Sequence, residues 1–306
     1  MKIIFISGVK FGYDVLNHIL NHNWKVEAVF SYHESKKEIY SDMIDFDSLT
    51  SKFNIKNFKV NNINDEINVK LINDISPDLI LVIGWSQLLK NNVLKIPKIG
   101  IIGSHPTELP KFRGRAPIPW SIIKNLKESA LTLFWIQEGT DNGPILDQQK
   151  FIISDNDDAS TLYEKMTSIG KTMILDNIYE IKKGKITKIL QDESKFIESW
   201  PKRTSNDGKI DWNHTAKEIH TLIRASTHPY PGAYTYFKKK KLVIWKSVLV
   251  DSSTNKPGEL MKISDSELQI GTSKGIIKLI YGTYDDLEIK NFKTFFSEKN
   301  LGDILE

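Results

Sequence analysis

The chain has 306 residues, of which 40% are hydrophobic and 26% charged, the composition of an ordinary globular protein with room for one large domain or two moderate ones. Its formal net charge of +4 is too small over this length to require nucleic acid as a partner, and the absence of cysteine excludes disulfides, thiolate catalysis and thiolate-bound metals. Met1 leads directly into an apolar stretch too short for a signal peptide, and no apolar run approaches the ~18 residues of a membrane span, so we expect a soluble cytoplasmic protein.

The first hundred residues alternate short apolar strands with amphipathic helices. Strands are predicted at residues 2–7, 26–31, 58–60 and 78–83, and helices after the turn at 8–12 and at 41–53 and 63–75. The unbroken apolar run at 78–83 is typical of a strand at the centre of a parallel sheet. This alternation predicts a doubly wound, mostly parallel α/β domain of the Rossmann type.

Gly8 and Gly12 lie at the first strand-to-helix turn, where nucleotide-binding folds place glycines. Their spacing is not Gly-x-Gly-x-x-Gly, and no acidic residue is clearly placed for a ribose, so a tight turn is favoured over a dinucleotide site. His18 and His22 stand at i and i+4 on the following helix, but no third ligand is evident and no metal site is expected.

Two loops between residues 100 and 148 carry the side chains that proton-transfer chemistry needs. His105 follows an apolar strand at 99–102, and Asp141 follows a second apolar strand at 131–136. Prolines stiffen the first loop and glycines flank the second turn, so the imidazole and the carboxylate can be held still relative to each other. Each residue alone has a structural interpretation, as a loop cap or a turn former, and the spacing does not name a reaction.

The last third of the chain changes character. After an amphipathic helix that ends near residue 184, a polar segment leads to a helix at 214–226 and to short strands at 234–237, 241–250, 258–263, 267–270 and 275–280. Short strands separated by glycines and polar turns predict a small OB-like β-barrel. We therefore predict a catalytic domain at residues 1–190, a linker at 191–208 and the barrel domain at 209–306. The lysine run at 238–241 is interpreted as a solvated hairpin turn rather than an RNA-binding segment.

The central motif resembles a known family. The segment His105-Pro-Thr-Glu-Leu-Pro-Lys-Phe-Arg-Gly-Arg-Ala-Pro-Ile-Pro-Trp120, followed by Glu138-Gly-Thr-Asp141-Asn-Gly143, is similar to the folate-dependent formyltransferases. These include glycinamide ribonucleotide, methionyl-tRNA and sugar-nucleotide formyltransferases. Residues 207–212, 223–225, 231–236 and 243–245 resemble the C-terminal domain of the tRNA and sugar branches. The resemblance thus covers nearly the whole chain.

The resemblance implies that a primary amine attacks the formyl carbon of N10-formyltetrahydrofolate. His105 would stabilise the oxyanion and assist proton movement, while Asp141 would orient or help deprotonate the reacting groups. The folate would lie between two segments, Trp85-Ser86-Gln87-Leu88 and Glu138-Gly139-Thr140. The amine substrate would contact Arg113, Gly114, Arg115, Pro117 and Trp120.

One position departs from the family pattern. The family's site reads Asn-x-His, and the Asn position is Gly103 here. Ser104, a backbone N–H or a water could replace the missing amide. Alternatively, the enzyme is slow or runs different chemistry on the same fold. A folate- or nucleotide-sugar-binding protein without catalysis is a further reading, against which the presence of both His105 and Asp141 argues.

The identity of the amine is the remaining question. Methionyl-tRNA formyltransferases typically carry a long basic loop after the second strand, whereas residues 31–47 here are short and mixed in charge. Arg115 suits a diphosphate because its guanidinium can bind two oxygens at once. We therefore expect a nucleotide-linked amino sugar, such as a 4-amino-4,6-dideoxyhexose for a bacterial surface glycan such as lipopolysaccharide, with methionyl-tRNA as the alternative. By analogy with the sugar branch, the barrel is a candidate homodimer interface.

Overall fold

Runs of β-branched and aliphatic residues form a central sheet flanked by amphipathic helices. A computed structural model describes residues Met1–Glu306. The strands of this part are β1 (Ile3–Ile6), β2 (Val26–Tyr32), β3 (Lys56–Val60), β4 (Leu79–Val82), β5 (Gly100–His105), β6 (Phe112–Gly114), β7 (Glu128–Trp135), β8 (Ile145–Ile152) and β9 (Glu198–Trp200). The helices are α1 (Lys10–Asn21), α2 (Asp47–Lys52), α3 (Glu66–Ile75), α4 (Asn91–Leu94), α5 (Pro117–Ile123) and α6 (Ala159–Lys182).

Seven of these strands form one sheet in the order β3-β2-β1-β4-β5-β7-β8. The first five are parallel, and β7 and β8 are antiparallel additions at one edge. Strands β1 and β4 are buried along their whole length, as expected where helices cover both faces. The predicted doubly wound, mostly parallel fold is confirmed.

The second predicted helix is shorter than the sequence pattern indicates. We expect it from residue 41, but α2 begins at Asp47. The residues before α2 make backbone hydrogen bonds to the turn between β1 and α1. The Asp42 carbonyl accepts from the Lys10 N–H, and the Ile44 N–H donates to the Gly8 carbonyl. Those bonds hold residues 42–44 in an extended path that a helix could not follow.

Segments later in the chain form an antiparallel sheet. It contains β10 (Ala233–Phe237), β11 (Lys240–Val250), β12 (Leu260–Ile263), β13 (Leu268–Gly271), β14 (Ile276–Tyr284) and β15 (Leu287–Glu288), and helix α7 (Ala216–Ser226) precedes it. The strand order is β10-β11-β14-β13-β12, with β15 beside β14. Helix α7 starts at a capping box in which Thr215 and Glu218 each bond the other's backbone N–H. The predicted C-terminal antiparallel domain is confirmed.

The last residues connect the two edge strands of this sheet. Glu306 exchanges two backbone hydrogen bonds with Tyr236 on β10, while the Leu260 N–H on β12 donates to the Asp303 carbonyl. The barrel is therefore closed by residues 302–306 rather than by direct pairing of β10 with β12. At the β10–β11 hairpin, Lys238 and Lys239 have φ of 49° and 65°, so the lysine run forms a tight two-residue turn.

The chain divides into two compact units. The first comprises Met1–Pro117, Lys127–Ile153 and Leu162–Lys202, and the second comprises Ile118–Leu126, Ser154–Thr161 and Arg203–Glu306. Each has its own apolar core, the first around residues such as Ile4, Phe30 and Ile80, the second around residues such as Leu242, Leu260 and Phe296. None of the helices combines the length and the apolarity that crossing a membrane would need.

Candidate active site

The imidazole of His105 lies at the end of β5 and is 5% exposed. Its Nδ1 is 3.6 Å from Oδ2 of Asp141. Its Nε2 is buried and has no hydrogen-bond partner within the protein. A buried polar nitrogen without a partner is uncommon in folded proteins and marks a place where a ligand group can bond.

Asp141 reaches His105 by a route that the strand pattern does not predict. Strand β7 runs antiparallel to β5, and its last residue, Trp135, pairs with Ile102 rather than with His105. The two strand ends therefore do not meet at one edge of the sheet, and the loop 136–144 must turn back to bring Asp141 to the imidazole. Asp141 itself has a left-handed φ of 50°, a conformation that aspartate adopts more readily than most residues.

The Asp141 carboxylate is fixed by a backbone donor. The Gly114 N–H on β6 donates to Oδ2 at 3.0 Å, the same oxygen that faces His105. Gly114 has φ of 99°, and a Cβ there would lie 2.4 Å from the carbonyl oxygen of Trp200 on the paired strand β9. Only glycine allows this close approach, so the glycine of the Arg-Gly-Arg motif serves both the strand pairing and the carboxylate.

Gly103 lies on the same face of β5 as His105, two residues earlier. A Cβ at this position would lie 2.9 Å from side-chain atoms of Ile136 and 3.1 Å from the Phe134 ring. Those two side chains occupy the space that a larger residue would need. Because side chains alternate along a strand, Ser104 points to the opposite face from His105, which argues against it as the replacement for the missing amide.

The predicted folate segment after β4 is held by its own side chains. The Trp85 and Tyr40 rings stack on either side of the Tyr32 ring, with centroid distances of 3.9 and 4.4 Å. The Ser86 N–H donates to the Tyr32 hydroxyl at 2.9 Å, and the Ser86 hydroxyl donates to that of Tyr40 at 2.6 Å. Burial raises the pKa of the Tyr32 hydroxyl above its ordinary value, so it stays a neutral hydrogen-bonding group.

Of the remaining two residues of that segment, Gln87 is hydrogen-bonded within the protein and Leu88 is exposed to solvent. The Gln87 amide donates to the Asn61 carbonyl at 2.7 Å and accepts from the Ile63 N–H at 3.1 Å, so it anchors a neighbouring loop. Leu88 is 61% exposed.

The aromatic stack also explains Gly8, where a Cβ would lie 2.0 Å from the Tyr32 ring. Packing against an aromatic ring, and not a phosphate, accounts for this glycine.

The second predicted folate segment contacts α4, the helix that follows the first segment. Asn91 follows the 85–88 segment in α4, and its amide donates to Oε2 of Glu138 at 3.2 Å. Gly139 has φ of 110°. It leaves room for the Asn142 amide, since a Cβ at this position would lie 2.4 Å from the amide nitrogen. The Thr140 side chain is exposed. One hydrogen bond thus links the helix after the first segment to the second segment, which is part of the loop that carries Asp141.

The two arginines of the Arg-Gly-Arg motif have different environments. Arg113 makes a bidentate ion pair with Glu193, at 2.5 and 3.1 Å, and its Nη2 donates to Oε1 of Gln191 at 2.7 Å. The guanidinium lowers the pKa of the Glu193 carboxyl. Arg115 is exposed and its guanidinium has no hydrogen bond or ion pair. Arg113 is therefore committed within the protein, whereas Arg115 is free for an anionic ligand.

The other two predicted substrate residues lie on α5. Pro117 begins α5 and ends the first segment of the first unit. Trp120, farther along α5, belongs to the second unit, where the Arg203 guanidinium lies 5.2 Å over its ring.

Gln191 and Glu193 were not predicted as site residues. Both lie in the segment that the sequence pattern assigns to a linker, and polar residues after a helix carry no signal of a role in a site. In the structure, Gln191 donates to the backbone carbonyls of Asp141 and Gly143, at 2.8 and 2.7 Å.

Comparison with known proteins is consistent with this geometry. Residues 1–178 match the family described as "Formyl transferase", and residues 202–299 match "Formyl transferase, C-terminal domain". A methionyl-tRNA formyltransferase from Thermodesulfovibrio yellowstonii is 34% identical over 239 residues, which are 78% of this chain and 76% of that protein.

Two solved structures share the fold. HypX from Aquifex aeolicus, solved in complex with tetrahydrofolic acid, has a TM-score of 0.68 and 18% identity over 92% of this chain and 44% of that chain. An N-formyltransferase from Helicobacter canadensis, solved with folinic acid and dTDP-3-aminofucose, has a TM-score of 0.67 and 21% identity over 92% of this chain and 100% of that chain. The two family matches and the 34% identical relative show that this chain belongs to the formyl transferase family and is a formyltransferase.

Proposed function

We propose that the protein transfers a formyl group from N10-formyltetrahydrofolate to the amine of a nucleotide-linked amino sugar. The observation that carries the proposal is the pairing of a buried imidazole with a carboxylate 3.6 Å away, the imidazole retaining one nitrogen without a protein partner. A site that only bound a ligand would not need an imidazole and a carboxylate paired in this way. The reaction requires a donor for a developing oxyanion and an acceptor for an amine proton, and His105 and Asp141 can supply them.

The chemistry assigns one task to each group. As the amine nitrogen bonds to the formyl carbon, the carbonyl electron pair moves to oxygen, where the protonated Nε2 of His105 can donate a hydrogen bond. The Asp141 carboxylate, 3.6 Å from Nδ1, takes up the proton that the amine nitrogen loses. That proton passes to N10 as the electron pair on the oxyanion re-forms the C=O bond and the C–N10 bond breaks. The folate supplies the formyl group, and the hydrogen bond from Asn91, in the helix that follows segment 85–88, to Glu138 supports a folate site formed by segments 85–88 and 138–140.

Two features support a nucleotide sugar over tRNA. Arg115 is free and exposed next to the Asp141-binding residue Gly114, where it can pair with a diphosphate. The segment at residues 31–47 has five carboxylates against two lysines, a formal charge of −3, which would repel an RNA backbone. Its position is fixed by the Tyr40–Ser86 bond and the Tyr163–Asp42 bond at 2.8 Å. The Helicobacter canadensis structure with dTDP-3-aminofucose supports the same substrate class.

The second candidate substrate is methionyl-tRNA. The 34% identity to the Thermodesulfovibrio yellowstonii enzyme favours it. A third reading is a folate- or nucleotide-sugar-binding protein without catalysis, and Gly103 favours that one. A cytoplasmic location and a homodimer formed through the barrel remain predictions within this proposal.

The test is an assay with N10-formyltetrahydrofolate and a panel of nucleotide-linked 3- and 4-amino sugars, read as the mass gain of one formyl group. A parallel reaction with unformylated methionyl-tRNA tests the second candidate. Formylation of a sugar and not of the tRNA supports the proposal, formylation of the tRNA alone replaces it, and tight binding without turnover supports the third reading.

Arg115→Ala provides a check on the substrate class. We expect it to raise the KM for the nucleotide sugar ~10-fold or more, because it removes a charge-assisted contact to phosphate. Lys90→Ala is the matched control, since Lys90 is an exposed cation whose side chain has no partner. An unchanged KM in the Arg115 variant would contradict recognition of a diphosphate by this residue.

A further inference from the structure

We propose that Gln191 is a positioning residue that holds Asp141 against His105. This inference rests on the proposed function for its kinetic consequence but not for its structural one. It starts from the unusual backbone of Asp141, whose φ of 50° is a conformation that costs free energy outside glycine. Such a conformation persists only when surrounding contacts fix it.

The Gln191 amide supplies those contacts from outside the loop. Its Nε2 donates both of its hydrogens to the turn, one to the Asp141 carbonyl at 2.8 Å and one to the Gly143 carbonyl at 2.7 Å. Bridging two carbonyls two residues apart fixes the path of the chain on both sides of Asn142. The carboxylate of Asp141 is then bound from the other side by the Gly114 N–H.

The orientation of the Gln191 amide is itself determined. Its Oε1 accepts from Nη2 of Arg113 at 2.7 Å, which excludes the flipped amide because two donors would then face each other. Arg113 is in turn held by its two bonds to Glu193. The chain of contacts Glu193–Arg113–Gln191 therefore ends on the loop that carries the carboxylate.

The backbone around Gln191 ties the same segment to the strands of the site. Ile189 and Ile145 exchange two backbone hydrogen bonds, at 2.7 and 2.9 Å, and the Thr187 carbonyl accepts from Nε1 of Trp135 at 2.8 Å. Farther on, β9 pairs with β6, which contains Arg113 and Gly114. Residues 187–200, which we name the strap, thus bind to both ends of the Asp141 loop, and Gln191 is the strap side chain that contacts the loop's backbone.

The kinetic test compares Gln191→Ala with Gln191→Glu. The alanine variant removes both donors, and the glutamate variant keeps the shape but places carboxylate oxygens against two carbonyls. We expect kcat to fall ~10- to 100-fold in both, with the KM for the amine substrate changed less than about threefold, because a displaced catalytic group slows the step without removing substrate contacts. Gln149→Ala is the control, an exposed glutamine on β8 whose side chain makes no hydrogen bond.

The structural test is amide hydrogen exchange of residues 138–143, which needs no substrate. We expect faster exchange there in both Gln191 variants and unchanged exchange in the control. Wild-type kcat and wild-type exchange in the glutamate variant would overturn the inference. If the wild-type protein formylates no amine, the proposed function fails, and the exchange result alone decides the role of Gln191. If the alanine variant does not fold, the glutamate variant decides.

Discussion

At the scale of single residues, the site depends on two nitrogens of one ring that meet different surroundings. The Nδ1 of His105 faces the Asp141 carboxylate at 3.6 Å, which is beyond a normal hydrogen bond. The Nε2 faces no protein group. A ring placed this way can gain a proton on one side and present it on the other.

The first prediction concerns this pair. His105→Ala and Asp141→Ala should each lower turnover ~100-fold or more, since each removes a group from proton transfer or oxyanion stabilisation. The measurement is kcat on the amine identified by the panel assay. Asp176→Ala, at an exposed position on α6, serves as the control. A near-normal rate in either site variant would refute the assigned role.

The second prediction at this scale concerns the substitution of Gly103. Gly103→Asn restores the family residue but places its Cβ 2.9 Å from Ile136, so we expect ~1–3 kcal/mol of destabilisation through overpacking. Adding Ile136→Ala should recover part of that loss by opening the space. The free energies of unfolding of the two single variants and the double variant, from urea denaturation, give the coupling. Strictly additive effects would show that Ile136 does not exclude the asparagine.

At the scale of elements, a partly buried hydrogen bond from α6 holds the segment between β2 and α2 in place. Its Asp42 carboxylate accepts a hydrogen bond from the Tyr163 hydroxyl at 2.8 Å, and that hydroxyl also accepts from the Phe11 N–H. Burial raises the pKa of the Asp42 carboxyl, and the Tyr163 hydrogen bond offsets only part of this. An ionised Asp42 is therefore less favourable in the folded chain than in the unfolded one.

This gives a pH-dependent prediction. Because the folded pKa lies above the unfolded value of 3.8, the folded state binds more protons above that pH, and Asp42 lowers stability as pH rises through the folded pKa. Asp42→Asn removes this loss while keeping an acceptor for Tyr163. The variant should gain stability relative to wild type as pH rises above the unfolded value of 3.8, measured by urea denaturation at several pH values. Asp176→Asn should show no such trend, and a parallel pair of curves for Asp42→Asn would contradict the prediction.

The elements also show what sequence patterns can and cannot predict. Apolar runs and helical spacing identify the parallel strands and α6 because burial on a sheet or helix face leaves a period in the sequence. The direction of β7 leaves no such trace, since antiparallel and parallel strands read alike in a short apolar run. The pairing of β6 with β9 depends on a contact between residues far apart in the chain. The start of α2 is set by backbone bonds to the first turn, which no local propensity reports.

The same distinction holds for the site. That His105 and Asp141 lie close together could be predicted from the two strand-and-turn segments that carry them, whereas their roles and the departure at Gly103 came from the resemblance to a family motif. Whether Arg113 or Arg115 is free depends on Glu193, and that ion pair joins positions 80 residues apart. Gln191 could not be predicted, because its function lies in two hydrogen bonds to backbone carbonyls, and these place no constraint on the sequence that receives them.

At the scale of the whole molecule, each unit has its own response to acid. In the second unit, His220 on α7 bonds the Ser247 hydroxyl on β11 at 2.9 Å. Burial and, to a smaller extent, the charge of Arg224 together lower the pKa of the His220 imidazole to about 4. The charged imidazole is thus disfavoured in the folded state.

The resulting prediction has the opposite sign to that for Asp42. Between about pH 4 and the unfolded value of 6.5 the unfolded chain binds more protons at His220, so stability falls as pH falls through this window. His220→Gln should flatten that slope in thermal or urea unfolding of the full chain. His214→Gln, at an exposed position before α7, is the control. An unchanged slope in the His220 variant would assign the acid sensitivity to other groups.

The strap has a consequence for anyone who recombines this chain with its relatives. A graft that exchanges the chain after residue 190 would keep this chain's Asp141 loop and Arg113 but replace Gln191 and Glu193 with residues of a foreign strap. A junction placed after Trp200 keeps these partners together in one parent. Chimeras joined at the later point should therefore have a higher kcat than chimeras that carry the same barrel but are joined at residue 190.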